Sequence, residues 1–267
     1  MAETLRVYLK LIAAQGRAQA SYRTSFWLDL AGSTVVVGAD LLTVLVIFSR
    51  VPTLAGFAIK ETLILFGLAL TSFSLADLIV GNIEKIRIYV RMGSLDTVMI
   101  RPLSVLAQLL CADVGFRRAG RIVYAAAVLV VATGYAGIDW TPERVAMVVI
   151  APIAGAAFFC GFFVATSTVA FWWIESGEIA NSLTYGGRDF TSYPITVYSG
   201  WFRKIFAFGL GFAFVAYYPG LLLLGKQDPL GGPSWLGWLS PLVSAAVLGL
   251  AAFIWRFGVR HYRSTGS

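Results

Sequence analysis

Four carboxylates stand inside or at the ends of long apolar runs: Asp29 and Asp40 in the first, Glu61 and Asp77 in the second. An ionisable side chain in the middle of a bilayer costs about 2.5–3.5 kcal/mol on insertion scales, so one that is kept there handles an ion, a substrate or another charge. Asp40, nearest mid-depth, is the candidate pathway residue on this ground. No Lys or Arg is expected at its depth, which leaves a neighbouring Ser, Thr or Tyr, or a wet cavity, to satisfy it. Lys60, Glu61 and Asp77 fall near interfaces, where solvent or a partner accommodates them.

Other chemistry is weaker. Glu175, Glu178, Arg188 and Asp189 could resemble a carboxylate pair with a basic helper, but their spacing does not suit acid–base work. Gly220 to Lys226 reads G-L-L-L-L-G-K, the first seven positions of a phosphate-binding loop, and then fails at Gln227, where Ser or Thr would hold magnesium. Cys111 and Cys160 lack metal-like spacing and His261 is the only histidine. No catalytic residue and no metal site are expected.

The elements that position these groups are membrane elements. Of 267 residues, 58% are hydrophobic and 13% charged, against roughly a quarter charged in soluble domains. The net charge of +7 is spread over the ends of apolar runs rather than clustered, which points to lipid topology and away from nucleic acid. About 20 apolar residues cross a ~30 Å hydrocarbon core. Six runs qualify: 26–48, 57–80, 122–138, 145–171, 205–224 and 236–257. Basic residues accumulate on the cytoplasmic side. With both termini inside, only Arg50, Lys60, Arg144 and Lys226 of the 21 Lys and Arg residues fall outside. Trp27, Trp172, Trp173, Trp201 and Trp255 are expected near inner ends, and Trp140, Trp235 and Trp238 near outer ends. Ala157, Gly161 and Ala165 offer close approach to a helix of this chain or another.

Ahead of the first run, residues 3–25 place Leu5, Tyr8, Leu9 and Ile12 on one helical face, as an amphipathic helix lying on the inner leaflet does. This lead is too long and too polar for a signal-peptide start and is expected to be retained. The expected organisation is one all-α transmembrane domain over 1–267. It comprises the interfacial helix, cytoplasmic segments at 81–121 and 175–204, and a cytoplasmic tail at 258–267.

The 81–121 insert carries seven basic residues and its own apolar pattern. Gly93 and Ser94 punctuate it, Ser94 is the expected N-cap, and Arg101-Pro102 ends a short helix whose Leu95, Val98 and Met99 face a soluble partner. Together with Gly93-x-Leu95-Asp96 and Arg101-Pro102-Leu103, the pairs Tyr22-Arg23 and Tyr193-Pro194 and the triplet Tyr218-Pro219-Gly220 resemble permease subunits of type-2 ATP-binding-cassette (ABC) exporters. The resemblance runs over nearly the whole chain. It implies a coupling helix between the second and third spans, docking on a separate ATPase through Gly93, Leu95, Asp96, Arg101, Pro102 and Leu103. It further implies a second permease, identical or paralogous, in a bacterial-type inner membrane. ATP and magnesium are then held by the partner, and the cargo is an amphipathic or hydrophobic drug, lipid or peptide. An ion-driven secondary transporter and a lipid-modifying membrane enzyme are the rival classes. The first would need deep ionisable groups beyond Asp40, the second more than a lone His261.

Overall fold

The computed structural model describes residues 23–112 and 118–262. The interfacial helix expected over 3–25 lies almost entirely outside them, as does the end of the tail.

Among the described residues every regular element is helical, apart from an isolated bridge between Leu54 and Phe57. The long helices are α1 (Arg23–Arg50), α2 (Ile59–Val80), α6 (Ala119–Ala136), α7 (Pro142–Thr168) and α11 (Ser240–His261). Between α2 and α6 lie three short ones, α3 (Ile86–Arg91), α4 (Ser94–Met99) and α5 (Val105–Ala112). After α7 come α8 (Gly177–Thr191), α9 (Gly200–Arg203, continued by a π-helical turn over Lys204–Gly209) and α10 (Tyr217–Leu224). Four of the described helical segments are long and apolar enough to cross a membrane, or five if the bent pair Gly200–Gly209 and Phe212–Leu224 forms one span.

Local chemistry sets the ends. Glu61 accepts the Ala58 N–H at 2.8 Å to start α2, and Thr141 accepts the Arg144 N–H at the head of α7, with Pro142 at the first helical position. Gly137 and Gly225 close α6 and α10 in left-handed conformations. α2 lies centrally, packed on α6 and α7, and α11 packs on α7. Gly67 permits the α2–α6 approach: a β-carbon there would lie 2.9 Å from the Leu129 Cα. Gly67→Val is expected to lower the thermal midpoint in detergent by about 1–3 kcal/mol of stability. Gly134→Ala, facing open space, should leave it unchanged. Gly161, left without an assigned partner by its sequence, meets Val247 and Leu248 of α11 in the same chain.

The bundle has two ends. One carries α3–α5, and against it pack the turns at Val169–Phe171 and Ile174–Ser176. The other carries Lys226, which binds the Gly56 carbonyl at 2.7 Å and Glu61 at 2.6 Å.

The expected 175–204 connection does not stay at one end. At its start Glu178 pairs with Arg87 and Glu175 with Arg91, whereas Thr196 donates to the Ala55 carbonyl at 3.1 Å. α8 therefore runs the length of the bundle. The fifth apolar run, 205–224, is not one straight helix. The chain from Thr196 to Lys226 begins and ends at the Ala55–Glu61 end, bent by 61° at Gly211, and dips inward to Phe212. Phe212 is fully buried among Phe158, Phe162, Phe190 and Phe206. Arg203, close enough to Tyr217 to influence its phenol, belongs with Lys226 rather than with the loop end. Trp201 lies in the same segment, not at the loop end, and Trp255 is buried against Phe171 rather than anchoring an interface.

Candidate functional site

The loop-end hairpin is a folded unit. Gly93 takes φ +66°, a left-handed conformation that costs glycine little, and reverses the chain between α3 and α4. Ser94 is the first residue of α4 rather than its cap, and its hydroxyl reaches back to the Tyr89 carbonyl at 3.4 Å. Gln108 of α5, buried, donates through Nε2 to the carbonyls of Val98 at 3.0 Å and Leu103 at 3.1 Å. Asn82 ties α5 to the base of α2 through the Leu109 carbonyl at 2.7 Å. Gln108→Ala leaves two inward carbonyls without that donor, at about 1–3 kcal/mol. It is expected to speed tryptic cleavage after exposed Arg91 of the same hairpin severalfold without shifting global unfolding.

Leu95 corrects its expected role. It is 0% exposed and packs into the main core with half-buried Val98, so it faces the bundle and not a partner. The apolar groups that do face outward are Met92, Met99 and above all Ile100, which is 83% exposed. Asp96 faces the phenol of Tyr262, just beyond α11; burial, and then the Asp96 carboxylate, raise that phenol above its ordinary range. Arg101 and Pro102 are exposed and Leu103 is half-buried.

Two ion pairs join this hairpin to the start of α8: Arg87–Glu178 at 3.2 Å and Arg91–Glu175. Both are largely solvent-facing and worth about 0–1 kcal/mol each. Packing adds to the join, because the Arg87 side chain lies against Gly177, where a β-carbon would crowd it. Above it, Asp77 is 2% exposed and held by Arg118 at 3.0 Å and Arg121 at 3.1 Å, while Arg118 also binds the Asp77 carbonyl at 2.8 Å.

Asp40 has a cationic partner after all. Arg188 of α8 pairs with its carboxylate and lies 5.7 Å from the centre of the Phe73 ring. The sequence concealed this because Arg188 was placed in a connection. Its signal was there in the alternation of Ile179, Leu183 and Phe190 with small and polar residues, ending before Tyr193-Pro194. A cavity of about 510 Å³ opens beside the pair, between α1, α2 and α8, with Arg121 at its edge.

The sequence matches the family described as ABC-2 family transporter protein over residues 34–266. The chain belongs to the ABC-2 transporter family. No curated protein and no solved structure matches it. Membership makes it an ABC-2 permease subunit, a multi-pass membrane component without a catalytic domain of its own, and implies association with ABC ATPases. In this ABC-2 permease the Gly220–Lys226 stretch is no phosphate loop: Tyr218 to Leu224 is helical, and Lys226 is engaged by Glu61. Among the described residues, no group of three His, Cys, Asp or Glu is arranged to hold a metal ion.

Proposed function

We propose that this chain is the membrane half of an ATP-driven exporter, paired with a second permease over separate ATPase subunits that hold ATP and magnesium. The reading rests most on the folded hairpin that presents Met92, Met99 and Ile100 outward while packing on the start of α8. Six spans follow in this reading: α1, α2, α6, α7, α8 and α11. The α9–α10 segment is re-entrant from the outside, the hairpin and both termini are cytoplasmic, and the membrane is a bacterial-type inner membrane. α1 has 28 residues, about 42 Å at 1.5 Å per residue, enough to cross ~30 Å of hydrocarbon. α8 reaches about 22 Å, and 3₁₀ turns at Ile174–Ser176 and Ile195–Val197 extend it.

Closure of the ATPases on ATP draws two coupling helices together. Arg87 and Arg91 pass that displacement to the foot of α8, and Arg188 passes it to Asp40 on α1. α1 and α8 flank the cavity, so their joint tilt opens one side while closing the other, a population shift supplied by the ATPase. The cargo in this scheme is amphipathic or hydrophobic, and Asp40 lies on its path.

Mild-detergent purification of the tagged chain, with identification of what accompanies it, tests the proposal. An ABC ATPase in stoichiometric amount is the expected result. Intact transport with no ATPase bound would overturn it.

A further inference from the structure

The cavity beside Asp40 and Arg188 has a chemistry of its own. Its α1 wall is apolar, made by Leu28, Gly32, Val36 and Val37, with Leu70 and Phe73 behind. Leu28 and Val36 are 68% and 55% exposed, so the mouth is open sideways. The charged residues on its wall are two arginines, Arg121 and Arg188, and one aspartate, Asp77.

What that wall offers a ligand is chiefly donors, the guanidinium N–H groups with the Ser74 and Tyr185 hydroxyls beside them. Both Asp77 oxygens already accept, one from Arg118 and the other from Arg121. The carboxylates nearby, Glu84 and Asp189, do not line the cavity, and Asp40 is taken up with Arg188. Arg188 Nε is buried and has no hydrogen-bond partner among the described residues. A guanidinium supplies five donors in a planar fork, and one carboxylate does not saturate it. Arg188 lines the cavity with 15% of its side chain exposed, so the accessible edge of that side chain, and not the sealed Nε, is what an incoming acceptor can meet. The volume, about 510 Å³, falls within the range of small-ligand sites and is large enough for a headgroup with part of a chain.

We propose that this cavity binds a membrane amphiphile carrying one anionic headgroup, drawn sideways from the leaflet at the hairpin end, with Arg188 and Arg121 on the headgroup and the α1 wall along the tail. It rests on the permease reading for its role as cargo, and on membrane insertion alone for binding.

The test is native mass spectrometry of the full chain in non-ionic detergent, titrated with phosphatidylglycerol or with phosphatidylcholine of the same acyl chains. Phosphatidylglycerol is expected to bind about tenfold more tightly, because the choline cation of phosphatidylcholine is repelled by the two guanidinium groups that its phosphate would meet. Arg188→Gln should abolish the preference. That variant leaves Asp40 unpaired and could misfold, so Gly32→Phe is the second arm. A β-carbon at Gly32 meets nothing within 4 Å, and the ring fills the mouth without touching the ion pair. It should reduce tight phosphatidylglycerol binding at least tenfold with the thermal midpoint unchanged. Inorganic phosphate should not compete, because it lacks the tail. Equal affinity for the two lipids, a preference that survives in folded Arg188→Gln, undiminished phosphatidylglycerol binding in folded Gly32→Phe, or displacement by inorganic phosphate would each overturn the proposal. Failure here with an ATPase still co-purifying leaves the permease reading intact. Selective binding with no ATPase does the reverse.

Discussion

Leu95→Asp is expected to unfold the loop-end hairpin, whereas Ile100→Asp should leave it folded and strip the chain of its ATPase. The two residues are five apart on the same short segment and face opposite ways. Leu95 is fully buried in the main core. Truncation there to alanine costs about 2–5 kcal/mol, and an unpaired carboxylate costs more. α4 has only six residues and no independent stability, so the damage spreads to Gln108 and its two carbonyl contacts. Ile100 is mostly solvent-facing, and a polar substitution at such a site shifts stability by no more than about 0.5 kcal/mol. If it anchors the ATPase contact, its loss costs about 2 kcal/mol or more, roughly thirtyfold in affinity. Thermal unfolding in detergent and ATPase recovery on the tagged chain separate the two outcomes. Normal recovery with Ile100→Asp would remove the docking surface from consideration.

Arg188→Leu should abolish ATP-driven transport and lower stability. The change leaves the Asp40 carboxylate at depth without its partner. Fully buried pairs lose about 3–5 kcal/mol when one member is removed. Asp40 is 34% exposed, so solvent screening reduces that to about 1–3 kcal/mol. The double variant Asp40→Asn with Arg188→Leu should recover much of the stability, because no unpaired charge remains. It should not recover transport, since the link from α8 to α1 is gone. Recovery of both would reduce the pair to a structural device. Measured together, the unfolding midpoint and nucleotide-dependent transport in proteoliposomes decide between these roles.

Periodicity and length made the apolar helices readable. α2, α6, α7 and α11 fall close to the runs 57–80, 122–138, 145–171 and 236–257, because a lipid-facing or core-facing helix of this length must be apolar almost throughout. α8 was not readable by that rule. Its sequence, GEIANSLTYGGRDFT, holds three glycines and three charged residues, and its neighbours satisfy what lipid would not. The run 205–224 was put down as a span by its apolar length, which does not reveal a bend. The hairpin's position was legible from Gly93 and Pro102, but its facing was not. A six-residue helix has too few turns for spacing to say which apolar side is buried: Leu95, expected outward, is buried, while Ile100, given no role by the sequence, is exposed. Asp40 was visible as an oddity, while Arg188 became its partner only once α8 crossed the bundle.

The composition of α8 bears on how the protein is made. In the proposed topology α8 is a span, and a segment with Arg188 and Asp189 among its fifteen residues gains little by leaving a translocation channel for lipid alone, because each charged group costs about 2.5–3.5 kcal/mol near the bilayer centre. Its route into the membrane needs α1 and α2 already there, offering Asp40 and Phe73 as a receiving wall. Synthesis order provides this, since α1 ends at Arg50 and α2 at Val80, 127 and 97 residues before α8 begins at Gly177. Integration of α8 is thus a folding event between protein surfaces. Variants of the receiving wall should surface first as biogenesis defects, with α8 stranded outside the bilayer and open to quality-control proteases.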